Sequence, residues 1–453
     1  MENSCVSDEL NKFRNEVIPE ILKQPHSVSS TNQMGFPPSS PLLNSQVQRK
    51  VSIAGYHWYE TELTSLVPSN LGRSNSIYNM LKSYNEIFNK LEKLTIKKAT
   101  KLELCKFHDE EFVNFLLKKR NISIKDSSQL EAIKKYQLEA RSHGVFDEKN
   151  YHEDENNDII EDDEKELFKF GLKFDCPLFP HMDEYIQLLA GSTLSSCRFL
   201  MKNHQNPLLK QPIAINWNGG RHHGKRSKAA GFCYINDISL AILELRKTFS
   251  KIVYIDLDLH HGDGVENSFS FSDKIMTLSV HRKDLGFFPG TGGIDNKGKG
   301  KGLKYSVNIP LKHGLSDRSL LRVIDEIIIP TIEKFKPDCM VIQCGGDGLS
   351  TDDFKEWNLS IKGYGEAIKS LLSLHHPVLM LGGGGYNNSQ MARLYTYLTT
   401  IALDIDFKFD ILPDDLNDED YEFWNVHEMN MIDENNDNYI DELKRIIGAR
   451  YGF

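Results

Sequence analysis

The feature that most limits what this chain can fold into is a series of unbroken apolar runs beyond residue 212. Each closes on glycine or a polar cluster: IAINWNGG, IVYIDLDLHHGDG, IMTLSVH, YSVNIPL, CMVIQCGGDG and PVLMLGGGGY. Apolar runs without polar alternation suit strands buried on both faces. Between several of them lie helical stretches such as DISLAILELRKTF and LLRVIDEIIIPTIEKF, as a chain returning to a parallel strand requires. The expected fold is a single α/β domain over residues 51–405, with a mostly parallel central sheet flanked by helices.

The flanks read differently. Residues 1–50 are rich in Ser, Asn and Pro and too polar to pack, so a disordered segment is expected there. A surface insertion is expected near residues 121–173 and an acidic C-terminal segment over 406–453. Residues 147–166 carry 11 acids against 2 bases, and 404–442 carry 15 acids against 1 base. The rest of the chain is therefore net positive, against an overall charge of −10. Such acidic segments would repel nucleic acid, so no direct nucleic-acid binding is expected and a basic peptide partner fits better. Solvated loops that keep the chain soluble are the simpler account of each segment alone. The 7 cysteines are scattered without a Cys-x-x-Cys pair, which favours a reducing compartment. No run of 18 apolar residues occurs, so no membrane span is expected.

Ligands of open parallel sheets bind beyond the carboxyl ends of the strands, and the unusual residues fall there. Strand alternation would set Asp256, Asp258 and His260 on one side of their run, with Leu257 and Leu259 on the other. Three unpaired ionisable groups on a buried strand would be costly, and a metal ion or a hydrogen-bonded network removes that cost. Asp with His suits a divalent transition metal, zinc above all, and Asp347 in CGGDG is the natural third ligand. A satisfied polar cluster at the sheet rim is the competing account of Asp-x-His by itself. The pair His222-His223 follows a glycine turn, and Asp256 and Asp263 offer one carboxylate to each ring. Gly382 to Gly385 let backbone pass close to a ligand; no Gly-Lys-Ser/Thr follows, which disfavours a phosphate loop. Tyr386 could stabilise an oxyanion through its O–H.

Together NWNGGRHHGKRSKAAGFCYIND, IVYIDLDLHHGDGVE, GFFPGTG, YSVNIPL, GGDGL and LGGGGYN, in this order, resemble the zinc-dependent histone deacetylases of class I, most like the fungal Hos branch. The resemblance runs from Val51 to Leu403 and is weakest between Asn121 and Lys173. It implies an arginase/deacetylase-like fold, with Zn2+ on Asp258, His260 and Asp347. It implies a dyad of His222 and His223 ordered by Asp256 and Asp263 respectively, and Tyr386 as the group polarising the acetyl carbonyl. Phe232 and Phe288 match the tunnel walls, with Gly231 beside them, and Asp175 matches the rim aspartate that holds substrate backbone. A structural K+ would involve Asp256 and Ser279. Phe354 stands where Leu or Met is usual and would narrow the tunnel mouth.

The implied substrates are acetylated, lysine-rich histones or other chromatin proteins, cohesin subunits among them. The implied location is the nucleus, with the cytoplasm left open. Two departures, Asp353 and Ser389 where arginines serve inositol phosphate binding, speak against corepressor regulation of that kind. An acetyl-polyamine amidohydrolase is disfavoured by the class I motifs and GFCYIND, and a silent scaffold by the intact catalytic set. Cys176 and Cys233, beside Asp175 and Phe232, are expected to make the enzyme sensitive to oxidants.

Overall fold

In the computed structural model the apolar runs become strands of one sheet. It describes residues 49–120, 162–206, 209, 211–413, 416, 422–424 and 431–453. The expectations for residues 1–48, for the insertion over 121–161 and for the acid-rich residues 414–415, 417–421 and 425–430 lie outside the described residues.

The strands are β1 (Lys50–Ile53), β2 (Glu92–Lys93), β3 (Pro212–Asn216), β4 (Ile252–Asp256), β5 (Ile275–Arg282), β6 (Ser306–Leu311), β7 (Cys339–Gln343) and β8 (Val378–Leu381). They pair in the order β2-β1-β3-β8-β7-β4-β5-β6, every pair parallel. The helices that matter most here are α1 (Arg73–Ser83), α2 (Met182–Asn203), α3 (Asp237–Leu245), α4 (Asp263–Phe269), α5 (Ile361–Leu372), α6 (Asn388–Leu403) and α7 (Asp437–Tyr451). Asn236 caps α3 by accepting the Ser239 N–H at 2.7 Å, and Asn387 caps α6 by accepting that of Gln390 at 3.1 Å.

Period-two alternation divides each central strand between two cores. Ile213, Ile215, Val253, Ile255, Met340, Ile342, Val378 and Met380 belong to one cluster, with residues of α1, α5, α6, α7 and the helical segment 317–335. Their neighbours Ala214, Ile252, Tyr254, Cys339, Val341, Leu379 and Leu381 belong to another, with residues of α2, α3 and α4. Both faces are thus covered, which explains why these strands are apolar throughout. From the acidic C-terminal segment, Phe423 and the α7 residues Ile440, Leu443 and Ile447 enter the first cluster.

Register sets the site. Asn216, Leu381, Gln343 and Asp256 are successive Cα partners across β3, β8, β7 and β4, and Ser279 of β5 continues the row. Four central strands therefore end flush, and their following loops leave from one level.

Candidate active site

The structure corrects one expectation. β4 stops at Asp256, so strand alternation is not what aligns Asp258 and His260. Asp256 Oδ1 accepts the Asp258 N–H at 3.2 Å, and Asp258 Oδ1 accepts the His260 N–H at 3.1 Å. These short side chains take backbone donors that a longer strand would use, and they turn the chain instead.

That turn carries Asp258 and His260 to Asp347, which follows β7. One ligand atom from each lies within 4.8 Å of the others, and all three residues are buried. His260 Nδ1 is 3.0 Å from Asp347 Oδ2 and 3.5 Å from Asp258 Oδ1. Other donors occupy the outer oxygens: Asp258 Oδ2 accepts from Gln343 Nε2 at 2.7 Å and the Gly384 N–H at 2.8 Å. Asp347 Oδ1 accepts the Leu259 N–H at 2.9 Å. Each carboxylate thus keeps an inner oxygen for the cluster and has its orientation fixed from behind. Burial opposes a charge on His260, yet Asp258 and Asp347 raise it to about 10. Burial and then the charge of Asp258 raise Asp347 to about 6. Two buried carboxylates around one imidazole attract a cation strongly, and an O, N, O donor set fits zinc.

His222 and His223 leave β3 through a glycine turn held by the buried Asp237, which accepts N–H groups from Gly220 (3.1 Å) and Arg221 (2.8 Å). Their rings lie 3.9 Å apart. His222 Nδ1 meets Asp256 Oδ2 at 2.9 Å, an oxygen that also accepts the Tyr254 O–H at 2.7 Å. His223 Nδ1 meets Asp263 Oδ1 at 2.9 Å, while Lys225 Nζ holds the other oxygen of Asp263. Each imidazole thus meets a carboxylate of its own. Burial works against charge on both, but Asp258 and Asp256 raise His222 to about 9. For His223, burial and then the charge of His222 prevail and lower it to about 3. With no cation on Asp258, one ring favours its proton and the other is kept neutral. A divalent cation on Asp258 would weaken the pull on His222.

Tyr386 follows the glycines beyond β8. Arg73, buried on α1, donates to Gly383 O and Gly385 O, both at 2.9 Å, and Asn70 donates to Gly385 O at 3.2 Å. The Tyr386 N–H donates to Asp352. Aromatic rings enclose this space. Phe232 and Phe354 lie 5.8 and 5.2 Å from the Tyr386 ring, and Phe288 lies 4.8 Å from His223. Phe354 also lies 4.8 Å from His260, so it sits beside the buried cluster of Asp258, His260 and Asp347. Asp175 accepts the Gly231 N–H. A Cβ on Gly231 would come within 2.4 Å of the His223 ring, and its φ is +54°, so glycine is needed here. Ser279 faces Asp256 in register and pairs its hydroxyl with His281 Nδ1 at 2.9 Å.

Cys176 and Cys233 are buried, and burial pushes both thiols up, Cys233 to about 12. Scarce thiolate argues against their expected sensitivity to oxidants. Arg73, Gln343, Asp237 and Asp352 escaped the sequence reading. Gln343 left a trace, as a polar residue ending an apolar run; Arg73 left none.

Residues 67–402 match the histone deacetylase domain. The chain is 34% identical to histone deacetylase 1 of Homo sapiens over 385 residues, covering 83% of this chain and 70% of that protein. It is 35% identical to histone deacetylase HOS1 of Saccharomyces cerevisiae over 389 residues, covering 75% and 80%. Against histone deacetylase 8 of Xenopus tropicalis it is 42% identical over 243 residues, covering 54% and 64%.

Proposed function

The chain belongs to the class I histone deacetylase family, and on that footing we propose that it is a zinc-dependent protein lysine deacetylase. It hydrolyses N6-acetyl-lysine on histones or other chromatin proteins, cohesin subunits among them, and releases acetate. The observation that carries this reading is the convergence of Asp258, His260 and Asp347 within 4.8 Å, beside two imidazoles each ordered by its own carboxylate at 2.9 Å.

Asp258, His260 and Asp347 would hold zinc, which when bound would supply Lewis-acid polarisation of the acetyl carbonyl and a water whose pKa is lowered to about 7. His223, oriented by Asp263, takes the water proton as principal base while His222 supports it. The Tyr386 O–H donates to the oxyanion that develops on the carbonyl. As the tetrahedral intermediate collapses the C–N bond breaks, and His223 returns its proton to the leaving lysine amine. Phe232, Phe288 and Phe354 give the four-carbon stem an apolar lining, which disfavours an unmodified, charged lysine by desolvation. Asp175, with Gly231, positions the substrate backbone at the rim. We assign a structural K+ to Asp256 and Ser279, and the nucleus as the place of action.

Asp353 is exposed, and the hydroxyl of Ser389 accepts from the buried Arg393. Neither position offers a guanidinium, so activity is expected to be independent of inositol phosphate. The test is acetate release by the purified full chain from an acetyl-lysine histone peptide and from acetylspermidine, with zinc measured on the same sample. Peptide turnover with one zinc per chain supports the reading. Preference for acetylspermidine overturns it in favour of a polyamine amidohydrolase, and zinc without either turnover in favour of a binding scaffold.

A further inference from the structure

Tyr386 follows four glycines, Gly382 to Gly385, the last at φ +113°. A glycine run supplies no side chains to hold it, so the chain must be fixed from outside. Arg73 and Asn70 hold the carbonyls that precede Tyr386. The N–H of Tyr386 itself donates to Asp352 Oδ2 at 2.6 Å.

Asp352 lies in the loop after β7, five residues beyond Asp347, and is 1% exposed. Its second oxygen accepts the Phe354 N–H at 3.1 Å. The Phe354 ring then packs edge-on against the Tyr386 ring, with centroids 5.2 Å apart at an interplanar angle of 65°. One carboxyl group therefore fixes Tyr386 at its backbone, and fixes the ring that buttresses its phenol. It also ties the loop carrying the third metal ligand to the loop carrying the tyrosine.

Resting on the deacetylase reading above, we propose that Asp352 is a positioning residue that acts through Tyr386. A small displacement of the phenol oxygen weakens a bond made mainly in the transition state, so kcat falls while KM stays near its value.

The test is a double-mutant cycle in the zinc-loaded full chain, read with an acetyl-lysine peptide. Asp352→Ala is expected to lower kcat about 10- to 100-fold with zinc content unchanged and KM within twofold. Asp352→Asn keeps one acceptor oxygen and is expected to recover part of the loss. In a Tyr386→Phe background, Asp352→Ala is expected to add little further loss, because the group it positions is already gone. A kcat equal to wild type, or full additivity with Tyr386→Phe, overturns the proposal. Should Asp352→Ala fail to fold, Asp352→Leu, which keeps the volume and has no acceptor oxygen, carries the same cycle. Absence of turnover in the wild-type chain would instead defeat the deacetylase reading itself, so the two failures are distinct.

Discussion

A Cβ on Gly345 would lie 2.1 Å from Asp258 Oδ2, and one on Gly384 2.4 Å from Asp347 Oδ2. Both glycines are therefore required by the close approach of backbone to the carboxylates of Asp258 and Asp347. Gly384→Ala is expected to lower zinc affinity without touching a ligand, measured by competition with a chelator. On the proposed ligand assignment, alanine at Asp258, His260 or Asp347 would remove a direct bond and is expected to lose both zinc and turnover. Stoichiometric zinc in all three variants would remove the ligand assignment. Tyr386→Phe should keep zinc and substrate affinity yet lose about 2 to 4 kcal/mol of transition-state stabilisation, as for a lost oxyanion donor. A kcat matching wild type would leave the phenol without a chemical role. These residue types were legible because each is expensive where it stands: a buried carboxylate or imidazole demands a partner. Arg73 was not legible, since a helical arginine ordinarily faces water, and this one is buried against the glycine loop.

Between elements, buried side chains away from the cluster of Asp258, His260 and Asp347 hold the loops in place. His108, on the turn before helix Glu110–Leu116, is 2% exposed. Its Nδ1–H donates to Arg226 O at 3.1 Å, and its Nε2 accepts the Asn236 N–H at 3.1 Å. One neutral ring thus pins the loop after the histidine dyad to the cap of α3. Burial lowers its pKa from 6.5 to about 4. The folded state prefers the neutral ring, so this contribution is complete above pH 6.5 and is lost as pH falls from 6.5 towards 4. Over that window the unfolded chain binds the extra proton, which amounts to about 3 kcal/mol. His108→Gln is expected to be less stable at pH 7.5 and to show a shallower fall in Tm between pH 6.5 and 4.5. Parallel Tm profiles for the two chains would refute the assignment. The sequence anticipated the helix LLRVIDEIIIPTIEKF, and the structure interrupts it with a π turn over Ile324–Ile328. Pro330 lacks an N–H and crowds the carbonyl four residues back, and a wider turn relieves that.

At the scale of the whole molecule, the charge is separated along the chain more than its total of −10 suggests. Acidic runs of this kind should concentrate a Lys/Arg-rich substrate by raising the encounter rate. Such attraction is screened beyond about 8 Å at physiological ionic strength. KM for a basic acetyl-lysine peptide is therefore expected to rise with salt, while KM for a neutral one changes little. Deleting residues 147–166 should remove part of that difference and leave kcat unchanged; equal salt responses would reduce the acidic runs to solubilising surface. The fold class was legible in the sequence alone, as were the residue types gathered at the strand ends. Burial and periodicity are local properties, written in runs such as IVYID and CMVIQ, and ionisable residues at the ends of such runs declare a site. Strand order was a different matter. That β8 and β7 lie between β3 and β4, with Asn216, Leu381, Gln343 and Asp256 flush in one row, follows from pairing between distant segments. Only that pairing brings Asp347 onto His260 and Asp352 onto Tyr386. Local pattern fixes which residues must be buried, but which buried residues meet depends on long-range packing, and the tertiary structure alone decided it.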